Sequence, residues 1–204
     1  MKILHSATTL PQPALSLMPA RVHEAAGRGR RAFALFQAAR HSGPLIWVLP
    51  AHAPELPLPA GLPQGVNERL HLLRPQNETD LLWSIEEALR AAPVGLVIAE
   101  PSSPLSLTAG RRLQLAAEAG RTTGLLLIRQ DGGSNATETR WLCDGMAAVG
   151  MPGVALDSTL HHWSLSKNKK GTIGDWVVNW NGASAAFDLV SATGERCQPA
   201  QTSG

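Results

Sequence analysis

Val94-Gly95-Leu96-Val97-Ile98-Ala99-Glu100 and Gly124-Leu125-Leu126-Leu127-Ile128 are short apolar runs on either side of Thr108–Ala119, a segment with helical spacing. Breakers flank both runs, and Pro93 precedes the first. Such runs are buried parallel strands more often than helices. Working upstream, Leu70–Leu73 is another short run. Leu45-Ile46-Trp47-Val48-Leu49 is a further one, enclosed by Pro44 and Pro50. Between them, residues 50–68 are rich in Pro, Ala and Gly and read as a loop. Asn77-Glu78-Thr79-Asp80 opens a helix that runs to Arg90. Leu81, Leu82, Ile85, Ala88 and Leu89 give it helical spacing, and its acidic start suits the helix dipole. Gly120 is expected to stop the helix at Thr108–Ala119. A first helix is expected over Ala20–Arg40, interrupted by Gly27-Arg28-Gly29 and stopped by Gly43-Pro44. Strand alternating with helix predicts an α/β fold, a mostly parallel sheet covered by helices on both faces.

The pattern changes after Gln130. Asp131–Asn135 is a polar, glycine-rich loop. Arg140–Cys143, His161–Leu165, Trp176–Trp180 and Ala186–Val190 then read as short antiparallel strands that extend the sheet at its C-terminal side. Lys167–Gly174 is the turn of one hairpin. The expected division is an irregular arm over 1–19, one domain over 20–192 and a disordered tail over 193–204.

Composition bounds the function. The chain has 204 residues, 44% of them hydrophobic and 17% charged, which suits a single folded domain. A net charge of +2 gives no global field toward nucleic acid or an acidic membrane, so DNA contact is expected to be weak or indirect. Cys143 and Cys197 lack metal-type companions and fit a reduced, cytoplasmic protein. The apolar runs are too short for a bilayer, and Pro11, Pro13 and Pro19 break up a signal-like start. Asn135-Ala136-Thr137 matches a glycosylation sequon, which has no use in that compartment.

A phosphate loop would fall between the first strand and helix of such a fold, in the form GxxxxGK[ST]. Glu24-Ala25-Ala26-Gly27-Arg28-Gly29-Arg30-Arg31-Ala32-Phe33 occupies that place, without the lysine or the hydroxyl. Arg28, Arg30 and Arg31 could hold an anion by charge alone, or form a solvated basic face. Glu100, closing an apolar strand, resembles the carboxylate that orients magnesium-bound water, but the missing lysine leaves it little to act on. The densest charge is Lys167-Asn168-Lys169-Lys170. Three of the four lysines in the chain lie there, on a turn suited to phosphate or to an acidic partner. A solvated turn that keeps a sheet edge soluble reads equally well. His161 and His162 are adjacent, so a strand points them to opposite faces, and no metal site is expected. Trp163, Trp176 and Trp180 suit a core or a docking face better than a base-stacking platform. Asp157-Ser158 has no context for a nucleophile, and no catalytic residue and no cofactor is expected.

Leu165-Ser166-Lys167-Asn168-Lys169-Lys170-Gly171, with the strand after it, resembles the RecA segment in which a strand ends in a Lys-Asn-Lys turn. Gly124-Leu125-Leu126-Leu127-Ile128-Arg129-Gln130 resembles the strand leading to RecA's DNA-binding loop, here cut down to about Asp131–Thr139. Within that superfamily the chain is more similar to the ImuA family. Gly43–Val48, Leu72-Leu73-Arg74-Pro75, the helix holding Leu82-Trp83, Arg111–Glu118 and Thr139-Arg140-Trp141 carry that resemblance, which spans about residues 20–190. It implies a degenerate RecA-like core and a non-catalytic adaptor role in damage-induced translesion synthesis, with RecA and an ImuB-like polymerase subunit as partners. It also implies that Lys167 and Lys169 reach ATP held by an adjacent RecA subunit. The alternative is a SulA-like inhibitor of division that binds FtsZ. Such a protein would be expected to lack the sheet extension over residues 140–190.

Overall fold

The computed structural model describes residues 15–57, 59–128, 134–146, 158–181 and 186–196. Its first half contains β1 (Val22–Ala26), α1 (Arg30–Arg40), β2 (Leu45–Val48), β3 (Leu70–Leu73), α2 (Glu78–Arg90), β4 (Leu96–Ala99), α3 (Leu107–Gly120) and β5 (Thr123–Leu127). Its second half contains β6 (Thr139–Met146), β7 (Ser158–Asn168), β8 (Ile173–Asn181) and β9 (Ala186–Arg196). All the strands join one sheet, in the order β3-β2-β4-β5-β1-β6-β7-β8-β9. From β3 to β6 the neighbours are parallel. From β6 to β9 they are antiparallel. The expected α/β class, with its antiparallel C-terminal extension, is what the chain adopts.

Alternate residues of each strand point to opposite faces, and each face has its own core. Leu96, Ile98, Leu125 and Leu127 lie in the cluster with Phe33 and Phe36 of α1. Val97, Ala99 and Leu126 lie in the cluster with Ile85 and Leu89 of α2 and Leu113 and Ala117 of α3. Every residue of β4 and of β5 is buried, which is why both read as unbroken apolar runs. The α1 face continues across the extension. Phe33 packs 4.9 Å from Trp141 and 5.1 Å from Trp163, between ring centres. Trp163 and Trp176 are therefore core residues, and Trp180 packs 4.7 Å from Phe187.

The helix expected over Ala20–Arg40 forms only from Arg30 onward. Its first part is β1, a fully buried strand hydrogen-bonded to β5 on one side and β6 on the other. His23 and Glu24 disguise it. Two polar residues in a five-residue strand look unlike a central strand until their distant partners are known. The arm expected over 1–19 also has a packed end, since Leu15 and Leu17 are buried and the Gln37 side chain donates to the Leu15 carbonyl at 2.8 Å. Residues 1–14 lie outside the described residues. β9 runs on to Arg196, into the segment expected as a disordered tail, and Cys197 onward lies outside the described residues. Gly120 is the last residue of α3 rather than its stop, and Arg121 takes the left-handed turn at φ 56°. A side chain on Gly120 would collide with the Leu89 carbonyl, so glycine is needed there for α3 to approach α2.

The start of α2 is as read from the sequence. Asn77 Oδ1 accepts from the Asp80 amide at 2.9 Å and caps the helix. Asn77→Ala is expected to lower stability by about 1 kcal/mol, read as a shift in the urea midpoint at unchanged slope.

Candidate functional site

The turn from β1 to α1 is Gly27-Arg28-Gly29. Gly27 has φ 90°, and a side chain there would strike the Cys143 carbonyl on β6. Only glycine allows that approach. At such a junction the free amides of a helix N-terminus attract anions. Here two amides of the junction are engaged inside the chain. Arg28 N–H donates to Asp144 Oδ1 at 3.1 Å, and Gly29 N–H donates to the Cys143 carbonyl at 2.8 Å. Asp144, on β6, thus places its carboxylate against the junction, at the Arg28 amide. The pairing of β6 with β1 puts it there.

A cleft of about 210 Å³ opens beside this junction, lined among others by Arg30, Arg31, His52, Glu100 and Ser102. Arg31 makes a two-pronged contact with Glu100, Nε to Oε1 and Nη2 to Oε2, each 3.0 Å. It also reaches Glu55 at 3.0 Å. Glu100 Oε1 accepts a further bond from Trp47 Nε1 at 3.0 Å. Arg30 Nη1 folds back on the Gly27 carbonyl at 2.9 Å. These residues do not fit a magnesium nucleotide. The phosphate-reaching lysine is missing, the amides of Arg28 and Gly29 are occupied, and the carboxylate that would serve the metal is bound to arginine. Of the three arginines expected to hold an anion, Arg31 is committed to two carboxylates and Arg30 to a backbone carbonyl. The backbone of Arg28 binds Asp144.

The lysine turn lies at the other end of the sheet. Thr139, at the start of β6, pairs with Asn168, whereas Asp144 lies toward its far end. The structure therefore does not bring the two basic groups together. Lys167 Nζ donates to three backbone carbonyls, those of Ser134 (3.2 Å), Asn135 (3.3 Å) and Thr137 (3.1 Å). Lys169 Nζ donates to the Ala136 carbonyl at 2.7 Å. Two ammonium groups thus clasp four consecutive carbonyls of the loop that enters β6. Burial lowers the pKa of Lys167, and the nearby charges of Arg140 and Lys169 add to this. Asn168 shapes the turn, its Nδ2 donating to the Thr172 carbonyl at 3.0 Å and its Oδ1 accepting from the Lys170 amide at 3.2 Å. Lys170 is exposed. His161 and His162 do face opposite ways: His161 is buried near Trp163, and His162 meets Asp175 at 3.3 Å.

Two buried polar groups under this loop were not visible as functional or structural residues in the sequence. Glu24 is fully buried, with Oε2 accepting from Arg140 Nε at 2.9 Å and Oε1 from the Ser134 amide at 2.6 Å. His23 is also fully buried. Its Nε2 lies 3.0 Å from the Met18 carbonyl and its Nδ1 2.7 Å from Thr139 Oγ1. A carbonyl only accepts, so Nε2 carries the proton and Nδ1 accepts from the threonine hydroxyl. Burial outweighs the Met18 bond and lowers the His23 pKa to about 4. The unfolded chain binds a proton at His23 near pH 6.5, and the folded chain resists it to about pH 4. The stability that neutral His23 gives is complete above pH 6.5 and falls as pH drops toward 4. The loss over that window is expected to be about 3 kcal/mol. Urea unfolding across it should show the loss, and His23→Gln should flatten that part of the curve.

Fold and site together define an α/β protein with a mostly parallel sheet, an antiparallel extension, and a strand–helix junction that binds a carboxylate and a carbonyl of β6. No protein-family model matches the chain. Over 110 residues it is 36% identical to Protein ImuA of Caulobacter vibrioides, in each of two strains. Over that stretch the chain is a homologue of ImuA, and the match supports membership of the ImuA family. The match covers 53% of this chain and 44% of each relative, so the chain spans under half the length of the curated relatives it matches. The strands β6–β9 form the extension that the division-inhibitor alternative was expected to lack, and no comparison supports that alternative.

Proposed function

We propose that the chain is a non-catalytic, RecA-like accessory protein of damage-induced translesion synthesis, an adaptor between RecA and an ImuB-like polymerase subunit. The identity to ImuA carries this reading. The element order supports the RecA-like part, with a parallel half followed by an antiparallel extension in which Lys167-Asn168-Lys169-Lys170 covers the end of β7 and the turn into β8. The internal pairing of Arg31 with Glu100, and of Asp144 with the β1–α1 amides, supports a role without ATP hydrolysis. A cytoplasmic setting belongs to the same proposal. Among the described residues no helix is long and apolar enough to cross a membrane.

The RecA contact is assigned to the lysine turn. Lys170 presents its charge outward, whereas Lys167 and Lys169 must release carbonyls of residues 134–137 before they can hold a phosphate. Docking at the turn therefore pulls on the loop that enters β6. The test is titration of the purified chain onto RecA filaments formed with single-stranded DNA and an ATP analogue. Saturable binding is expected, weaker at higher salt as phosphate contacts require. Lys170→Glu, which leaves the clasp intact, is expected to weaken binding about tenfold, a change typical of losing one charged contact at an interface. Lys167→Ala with Lys169→Ala is expected to weaken it further. Binding unaffected by all three changes would remove the turn from the interface. No binding to RecA with or without nucleotide would overturn the RecA half of the proposal.

A further inference from the structure

β3 (Leu70–Leu73) is an edge strand without the usual protection against pairing. It has no lysine, no proline and no bulge, the devices that keep a sheet edge from meeting another chain. Leu70 and Leu72 stand on the α1 face beside Leu45 and Trp47, and His71 and Leu73 on the α2 face beside Ile46 and Val48. Leu72 and Leu73 are each 39% exposed, and His71 is exposed as well. The backbone is equally open. The Leu49 N–H donates to the Leu73 carbonyl, so Leu73 turns its backbone groups toward β2. Successive residues of a strand turn these groups to opposite sides. His71 and Leu73 therefore bond to β2, and Leu70 and Leu72 turn their N–H and carbonyl groups outward.

This edge is complementary to itself, as a contact about a two-fold axis requires. In an antiparallel pair, opposed residues alternate between those that exchange both hydrogen bonds and those that exchange none. Setting Leu70 of one copy against Leu72 of another, and Leu72 against Leu70, brings every outward group of both strands into a hydrogen bond. Within β3, the other registers that oppose outward groups, Leu70 on Leu70 or Leu72 on Leu72, leave some of them unused. The first register also sets leucine against leucine on the α1 face. Its two-fold axis passes between the two His71 residues, a non-bonded pair, whose side chains approach most closely. The charges beyond the ends of β3 agree with it. Glu68 and Arg74, both exposed, flank the strand at equal distance from His71, so Glu68 of each copy meets Arg74 of the other. The Arg74 guanidinium rests on the carbonyls of Ala51 and Ala53. Neither Glu68 nor Arg74 is in an ion pair among the described residues. We propose that two copies of this chain pair their β3 edges antiparallel about a two-fold axis at His71, joining their sheets into one.

The paired strands are short, so the dimer is expected to be weak. The experiment is sedimentation equilibrium of the full chain from about 10 to about 500 µM, the range that covers such a contact. A monomer–dimer equilibrium is expected. Residue 71 faces its own copy across the axis. His71→Glu alone and His71→Lys alone should therefore each raise the dissociation constant several-fold, since like charges then lie directly opposite. An equal mixture of the two variants should dimerise at least as tightly as the parent chain. Rescue on mixing separates a second copy from any other occupant of the edge, because only a two-fold contact sets residue 71 against itself. His71 is exposed, so the thermal midpoints of the monomeric variants should hardly move. Leu72→Pro, which removes an outward N–H that β2 does not use, should weaken the dimer as well. A chain that stays monomeric over the whole range overturns the proposal. So does a dimer that His71→Glu and His71→Lys leave intact, or a mixture that associates no better than either variant alone.

Discussion

Arg140→Ala is expected to lower stability by about 3–5 kcal/mol, the range seen when one partner of a buried ion pair is removed. Glu24 lies on β1, the strand held between β5 and β6, and has no solvent exposure. With Arg140 gone, its carboxylate keeps only the Ser134 amide, a single hydrogen bond for a charge in the sheet interior. Arg140 is different: 29% of its side chain is exposed, so it can be hydrated when Glu24 is lost. The two halves of the pair are therefore unequal, and Glu24→Gln should cost clearly less than Arg140→Ala. The double change Glu24→Leu with Arg140→Met should recover most of the loss, because apolar groups of similar volume replace a buried pair at little net cost. Urea unfolding of the four proteins settles the ranking. A cost below about 1 kcal/mol for Arg140→Ala would mean that water reaches Glu24, as it does at surface pairs.

Trp163→Ala should be as damaging, about 3–5 kcal/mol, through the cavity it leaves. Trp163 is fully buried on β7 and meets Phe36 at 4.9 Å, Phe33 at 5.1 Å and Phe187 at 5.8 Å between ring centres. Those contacts tie α1, which also covers the parallel strands, to the antiparallel extension. One core therefore serves both halves of the sheet. Calorimetry of the variant should show one transition at lower temperature, not separate melting of β6–β9. Two resolved transitions, with the upper one unchanged, would show that the extension folds as an independent unit.

How much of this was legible in the sequence depends on where each residue finds its partners. β3, β4 and β5 were readable because apolar runs between breakers need no distant information. α2 was readable because its cap, Asn77, lies three residues from the amide it binds. β1 was not, because its character rests on contacts 116 positions away, His23 with Thr139 and Glu24 with Arg140. Read locally, His23 and Glu24 break a strand pattern, and the alanines beside them favour helix. The lysine turn was legible as a concentration of charge. That its ammonium groups clasp carbonyls of residues 134–137 follows only from the β6–β7 pairing. Asp144 left no signal at all, since it matters only because β6 runs beside β1 and carries a carboxylate to the end of α1.

The role proposed for this chain is to join RecA to a polymerase subunit without chemistry of its own. It is tested most directly by immobilising RecA filaments on single-stranded DNA and measuring retention of a purified ImuB-like subunit, with and without this chain. The subunit is expected to stay on the filaments only when the chain is present, and Lys170→Glu to reduce the retention. Retention that does not depend on the chain, or none when chain and subunit are supplied together, would contradict it.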